Sequence, residues 1–322
     1  MEIIRANISN NSEWQDFLNS DYNMFYDNRF LSYNDAFGKN IIWHHLIFKE
    51  KNKTLAIING CEEITENGKT YISCDGVSFG GFIWHDRVRI SDYVNILREF
   101  KVYLMSKDFS CCIIRNPPYL YLQNPNEEYE YALILEGFNV LKNSITNIIE
   151  LNSFEFDKLT NPKKRAIQQS SQKIEINIIN DNITNDTLFD YYNLLLKNRE
   201  LKNVKPTHSL EELVYLKNNL SEKIILFEAR INSVLAGICT LFLVKNDVVL
   251  NFYLAADEEH KKDRVSDFIL FKSIEWSKNN NFRLYDIGTS NVGDTLLYGL
   301  FEFKKKFMAD GFLRKSYILK LN

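Results

Sequence analysis

The densest run of side chains able to hold an anion is DEEHKKDRVSD at 257–267, which carries His260, Lys261, Lys262 and Arg264. Imidazole, ammonium and guanidinium groups at that spacing could meet phosphate oxygens through charge-assisted hydrogen bonds. The same run also reads as a solvated charged loop. A second basic run, LTNPKKRAIQQSSQK at 159–173, brings Lys163, Lys164, Arg165 and Lys173 together. Gly80-Gly81 could let the backbone approach a phosphate, or could simply shape a turn. Arg115, in Arg115-Asn116-Pro117-Pro118, could read a carboxylate or phosphate where a strand ends, or the prolines could only stop the strand. His44, His45, His85, His208 and His260 show no metal-ligand spacing, so no metal is expected. No local motif supports a Ser–His–Asp or Cys–His assembly, which argues against a hydrolase.

These groups need a scaffold, and the composition is that of an ordinary soluble globular chain: 322 residues, 45% hydrophobic and 25% charged. With 39 basic against 42 acidic residues, the net charge of -3 gives no general nucleic-acid footprint, and DNA is not an expected partner. The five cysteines, Cys61, Cys74, Cys111, Cys112 and Cys239, form no C-x-x-C pair and read as reduced, buried thiols. The opening MEIIRANISNNSEW lacks a basic-then-apolar leader, and no apolar stretch approaches the roughly 20 residues that span a bilayer. The expected location is cytoplasmic, with no transmembrane segment.

One order of elements occurs twice. In the first half, strands at 41–49 and 54–63 lead through the hairpin signal Asn67-Gly68 to a strand at 70–77. A loop with Gly80-Gly81 then enters a helix at 91–107, capped by Ser91, whose Val94, Leu97, Phe100 and Leu104 keep helical spacing. A short apolar strand follows at 111–114. In the second half, strands at 224–229, 233–244 and 248–256 precede the polar loop, a helix at 266–279 and a strand at 282–287. Between the halves, the basic run reads as a helix with Pro162 in its first turn and Asn161 as cap, followed by helices at 186–201 and 210–219. Antiparallel strands followed by a strand–helix–strand crossover predict a mixed α/β sheet. The crossover sets a helix N-terminus at the carboxyl end of a strand, where such sheets bind ligands and free N–H groups favour anions. The expected division is a first module at 1–158, a basic connector at 159–185 and a second module at 186–322.

From Pro162 onward the chain resembles the FemAB-like branch of the GNAT acyltransferase superfamily. The segments that carry the likeness are NPKKRAIQQSSQK, FEARINSVLAGICTLF, VLNFYLAAD, LYDIGTSN and the closing GLFEFKKKFMADG. In the first half SFGGF, RNPP and LEGF resemble the family. The resemblance implies two tandem GNAT-like modules. It also implies an enzyme that transfers an acyl or aminoacyl group from a thioester or an aminoacyl-tRNA to an amine.

Such transfer needs a neutral nucleophile, a near-attack geometry and donors for the oxyanion. By resemblance, backbone N–H groups where two parallel strands splay would be those donors, at 253–256, which includes Tyr253 and Ala255. Lys304 matches the Lys of the closing pattern and could hold phosphate or stabilise charge on the reacting carbonyl. Asp286, at a strand end, could accept or orient the amine's proton, or could bond a nearby backbone N–H. Ala at either position is expected to cut turnover far more than stability. For such a reaction the donor is expected near His260, Lys261, Arg264, Tyr253 and Ala255, and the acceptor near Arg115, Gly80, Gly81 and Tyr298. Coenzyme A-binding relatives carry a Gly-rich loop before the crossover helix, and 257–267 has no Gly. No tightly bound cofactor is expected; acyl-coenzyme A or another acyl thioester is a candidate co-substrate. The acceptor would be an amine of a cell-envelope precursor, an amino sugar or a peptide. A non-catalytic binding module on the same fold is the alternative.

Overall fold

The computed structural model describes residues 1–9, 11–73, 76–179 and 183–321. Cys74 and part of the strand expected at 70–77 lie outside the described residues. The chain forms two compact units, Met1–Ile145 with Phe312–Asn322, and Thr146–Gly311.

In the second unit, three strands form a meander, Ile224–Ile231, Val234–Lys245 and Val248–Ala256. Asn232 and Ser233 turn the first corner with φ of 48° and 67°, the left-handed region that a short polar side chain tolerates. That turn and the next, at 246–247, set the antiparallel register, which places Phe227 beside Cys239 and Thr240 beside Tyr253. Glu175–Ile179 adds an outer strand. The crossover helix Val265–Asn279 returns the chain to Leu284–Thr289, which lies parallel to Val248–Ala256. Residues of Asn139–Glu150 close that side in antiparallel register. The crossover helix buries Phe268, Ile269, Leu270 and Ile274 among Phe227, Cys239, Leu241 and Val249. Each such side chain contributes about 1.5–3 kcal/mol by leaving water. Gly237 permits this close packing, because a Cβ there would stand 2.5 Å from Val265 Cγ1.

The first unit repeats the crossover. Gly68–Ile72 and Cys111–Arg115 are parallel, joined by way of the helix Ile90–Ser106. Cys61–Thr65 and Ile42–Trp43 extend one side, and Asp310–Lys320 pairs with Cys111–Arg115 on the other. A separate four-stranded sheet holds Glu2–Arg5, Leu46–Glu50, Lys53–Ile58 and Phe82–Trp84. Leu97, Phe100 and Leu104 pack the helix onto Phe48, Ile58, Tyr71 and Cys112.

The strands expected at 41–49 and 54–63 each divide, because the chain changes sheets within them. At the second break a Cβ on Gly60 would sit 2.1 Å from the Tyr71 ring, so only glycine fits. Ser91 is not the cap: Arg89 is, and its N–H donates to Asp92 Oδ2 at 2.7 Å. Likewise Thr160, not Asn161, caps Asn161–Ser170. The seam between units falls earlier than the sequence division at 158, and the final strand rejoins the first unit. That strand pairs with residues about 200 positions earlier, a long-range choice that local pattern does not encode.

Candidate active site

The parallel strands of the second unit pair from Val248–Leu250 to Leu284–Asp286, and both run on beyond the last pair. A register shift opposite Thr240 and Leu241 adds an extra residue, Phe252, to the longer strand, and such bulges re-aim the chain. Backbone N–H groups alternate in direction along a strand. Beyond Leu250, therefore, half face the antiparallel neighbour and half face the side on which pairing with the parallel strand has ended.

Lys304 and Asp286 converge on the turn at the end of Leu284–Thr289. Lys304, on the helix Tyr298–Lys305, is 3% exposed, and its Nζ donates to the carbonyls of Gly288 and Thr289, each at 2.8 Å. Asp286 is 0% exposed; its Oδ1 accepts the Gly288 N–H at 2.7 Å and the Thr146 hydroxyl. Gly288 has φ of 85°, so this turn needs a residue without a Cβ penalty. Ser290 continues the lock, with its Oγ bonded to Asn147 Oδ1 at 2.6 Å and its carbonyl accepting the Leu297 N–H at 2.8 Å. The arrangement fixes an ammonium beside a turn with little freedom. It also changes the expectation for Lys304→Ala and Asp286→Ala, since both are buried side chains bonded to the backbone of this turn and folding stability must fall with either.

Tyr253 and Ala255 lie on Val248–Ala256 beyond its last parallel pair and are buried. Tyr253 Oη accepts the His208 N–H at 3.1 Å and lies 3.1 Å from His208 Nδ1. Burial pushes the Tyr253 phenol up to about 12, so it stays protonated at neutral pH. The Arg199 guanidinium lies 5.7 Å from its ring centroid. The Tyr253 side chain thus ties its strand to the segment between the helices Asn185–Glu200 and Leu210–Asn219.

The polar loop folds into a 3₁₀ turn, Glu258–Asp263, and its acids meet partners both inside and outside the loop. His260 meets Asp263 at 3.4 Å, Lys261 meets Glu258 at 3.3 Å, Lys173 meets Asp263 at 3.0 Å and Lys197 meets Asp257 at 3.1 Å. Arg264 has φ of 59° and caps the crossover helix. In the first turn of that helix Asp267 is paired with Lys163 of the connector helix. Lys163 Nζ also lies 4.9 Å and 4.3 Å from the ring centroids of Phe303 and Phe307. Burial lowers the Lys163 pKa, and Asp267 partly offsets the effect.

In the first unit, Gly80 donates its N–H to the Arg115 carbonyl at 2.8 Å, and the Arg115 N–H donates to Ser73 Oγ at 3.0 Å. Gly81 has φ of 89°, its carbonyl accepts the Tyr26 hydroxyl, and a Cβ would stand 2.4 Å from Asn116 Oδ1. The structure brings Gly80, Gly81 and Arg115 together, but as a buried packing joint whose Gly80 N–H is already used. Tyr298 stands at the start of its helix, 75% exposed.

Thr146, Asn147, His208, Asp267 and Ser290 gave no signal in the sequence that set them apart. Lys163 stood out only as one of several basic residues. Their importance comes from pairings over long sequence separations, such as Lys163 with Asp267. Among the described residues, no group of three or more His, Cys, Asp or Glu could hold a metal ion, and no helix is long and apolar enough to cross a membrane.

No protein-family model and no curated protein matches the sequence. Solved structures match along the whole chain. FemX superposes with a TM-score of 0.73 at 11% identity, over 100% of this chain and 98% of the other. L-PGS from Bacillus licheniformis gives 0.62 at 12% identity, over 97% and 92%. A tandem GNAT protein from the clavulanic acid biosynthesis pathway, solved without AcCoA, gives 0.58 at 9% identity, over 100% and 98%. At these identities the likeness is one of fold, and that fold is the FemAB-like tandem GNAT arrangement.

Proposed function

We propose that this chain is an N-acyltransferase. It moves an acyl or aminoacyl group from a thioester or an aminoacyl-tRNA to an amine of a cell-envelope precursor, an amino sugar or a peptide. The observation that carries this reading is the ammonium of Lys304, buried and bonded to the Gly288 and Thr289 carbonyls at the end of Leu284–Thr289. The tandem GNAT fold supports it.

In this reading the neutral amine attacks the donor carbonyl carbon and a carbon–nitrogen bond forms. The carbonyl electrons move onto oxygen, where backbone N–H groups at 253–256 and the charge of Lys304 stabilise them. Collapse expels the thiolate or ribose oxygen, which takes the electron pair and the proton that the amine gives up. Asp286 acts through Gly288, holding the turn that aims Lys304. Among the described residues the buried free thiols Cys111, Cys112 and Cys239 support a cytoplasmic site for the reaction.

The test is a mass-spectrometric screen with acyl thioesters and aminoacyl-tRNAs as donors and glucosamine, short peptides and hydroxylamine as acceptors. Transfer that depends on the protein supports the reading. A second reading, the binding module, draws on the fact that Asp286 and Lys304 both bond the protein's own groups. Thermal stabilisation by a peptide or protein, with no transfer from any donor, favours it.

A further inference from the structure

We infer that Asn251 is a positioning residue: its side-chain amide anchors a change of face in the strand Val248–Ala256, and so sets where the N–H groups at 253–256 stand relative to the turn that holds Lys304. The inference rests on the acyl-transfer reading for its part in the reaction, but the anchor itself is tested without turnover.

Adjacent residues of a strand point to opposite faces of the sheet. On Val234–Lys245, Cys239 packs among the side chains of the crossover helix, while the hydroxyl of its neighbour Thr240 lies 2.8 Å from that of Tyr191 on Asn185–Glu200. The two helices therefore cover opposite faces. On Val248–Ala256, Val249 packs into the crossover-helix cluster, and so do Leu254 and Ala256. An odd-numbered residue before Leu250 and even-numbered residues after it share one face, so the alternation slips by one between them. The slip falls at Phe252, which the register passes over between Leu241 beside Asn251 and Thr240 beside Tyr253.

This slip is held from both faces. Tyr253, just after it, reaches His208, whose carbonyl accepts the Tyr192 hydroxyl of Asn185–Glu200 at 2.9 Å. Asn251, just before it, reaches the other way. Its Nδ2 donates to Tyr285 Oη at 3.0 Å, and Tyr285 Oη lies 2.6 Å from Ser273 Oγ of the crossover helix. Ser273 donates its one proton to the Leu270 carbonyl at 2.8 Å, so it accepts from Tyr285. Burial raises the pKa of the Tyr285 phenol, which keeps that proton in place. The chain of bonds thus runs one way, from Asn251 through Tyr285 and Ser273 to Leu270, and all three side chains in it are buried.

The backbone of Asn251 meets the other half of the site. A Cβ on Gly288 would stand 3.6 Å from the Asn251 carbonyl oxygen, and the Gly288 carbonyl is one of the two that hold Lys304 Nζ. One residue therefore abuts the turn that carries the ammonium and anchors the strand that carries the N–H groups. Without its amide the slip is held from one face only, and a shift of one residue there would turn every later side chain to the other face.

Asn251→Leu keeps the shape and removes the amide, and Tyr285→Phe keeps the ring and removes the hydroxyl. Ser277→Ala is the control, because its buried hydroxyl bonds the Ser273 carbonyl at 2.8 Å on the same helix, outside the chain of bonds. Assayed well below their melting temperatures, the first two should lose about tenfold to a hundredfold in kcat, with KM for donor and acceptor within about twofold of wild type. Ser277→Ala should keep kcat within about twofold. Hydrogen exchange read by mass spectrometry should rise at least about tenfold at 251–256 in Asn251→Leu and stay unchanged at 224–231. Wild-type kcat in a folded Asn251→Leu or Tyr285→Phe protein overturns the inference, as does a fall in kcat that Ser277→Ala shares. Unchanged exchange at 251–256 also overturns it. If Asn251→Leu does not fold, Tyr285→Phe carries both measurements. If wild type transfers from no donor, the acyl-transfer reading alone fails, and exchange decides the anchor: a rise at 251–256 supports it and no rise overturns it.

Discussion

Replacing Lys304 with Ala tests whether its ammonium fixes the turn at the end of Leu284–Thr289. The substitution removes two hydrogen bonds of 2.8 Å from a buried cation and leaves the Gly288 and Thr289 carbonyls without that donor. A hydrogen bond to a charged group contributes about 1.5–3 kcal/mol. We take about 1.5–3 kcal/mol for the whole substitution, since the two bonds share one charge and are not additive. For a protein above about 150 residues that corresponds to a fall in Tm of roughly 3–12 °C. Thermal and urea unfolding of Lys304→Ala against wild type measures it. Lys305→Ala is the control, because its pairing with Asp310 is exposed and contributes no more than about 1 kcal/mol. A Lys304→Ala protein that melts within about 2 °C of wild type would refute the clamp and, with it, the aiming of the ammonium.

Thr146→Val removes the hydroxyl that donates to buried Asp286 and should cost about 1–3 kcal/mol in urea unfolding; no loss would mean the carboxylate is satisfied without it. Gly81→Ala places a Cβ 2.4 Å from Asn116 Oδ1 at φ 89° and should destabilise by about 1–3 kcal/mol. Gly38→Ala, at φ 72° but in open space, should cost less, and equal losses would count against the packing joint. The Tyr253 phenol is raised from 10.0 to about 12 in the folded protein, so between those pH values the unfolded chain releases the proton first. Its contribution is whole below pH 10 and is lost as pH rises, by up to about 3 kcal/mol. Tyr253→Phe should remove that part of the alkaline slope, and an unchanged slope between pH 10 and 12 would contradict it.

The meander, the crossover and the two helices before them were legible in the sequence because each follows from local pattern. Apolar periodicity marked the helix that became Val265–Asn279, and the strand Val248–Ala256 was bounded by polar turns on both sides. The caps were misread because Ser91 and Asn161 are good capping residues one or two positions inside the helices. The capping partner that wins at Arg89 is the Asp92 carboxylate, and side-chain reach of that kind is not visible in residue type. Lys304 and Asp286 were both legible as residues of interest, but not their shared turn at Gly288. That depends on Thr146 and Ser290, which ordinary hydroxyl residues give no reason to single out. The loop at 257–267 reads as basic in sequence, yet its acids are what its geometry uses: each of Asp257, Glu258 and Asp263 holds a cation. Charge count alone could not separate a phosphate cradle from a turn whose acids are held by lysines inside and outside it.

The most direct test of acyl transfer centred on Lys304 is to rebuild its ammonium chemically. Lys304→Cys, assayed below its melting temperature with a donor and acceptor that wild type uses, should lose transfer by at least about a hundredfold, the scale of one lost electrostatic donor. Aminoethylation of that cysteine restores a lysine-like ammonium, and buried Cys61, Cys111, Cys112 and Cys239 serve as the background in treated wild type. Recovery of most of the lost rate together with the lost stability is the predicted result. Transfer that is undiminished in the unmodified Lys304→Cys protein would contradict the account.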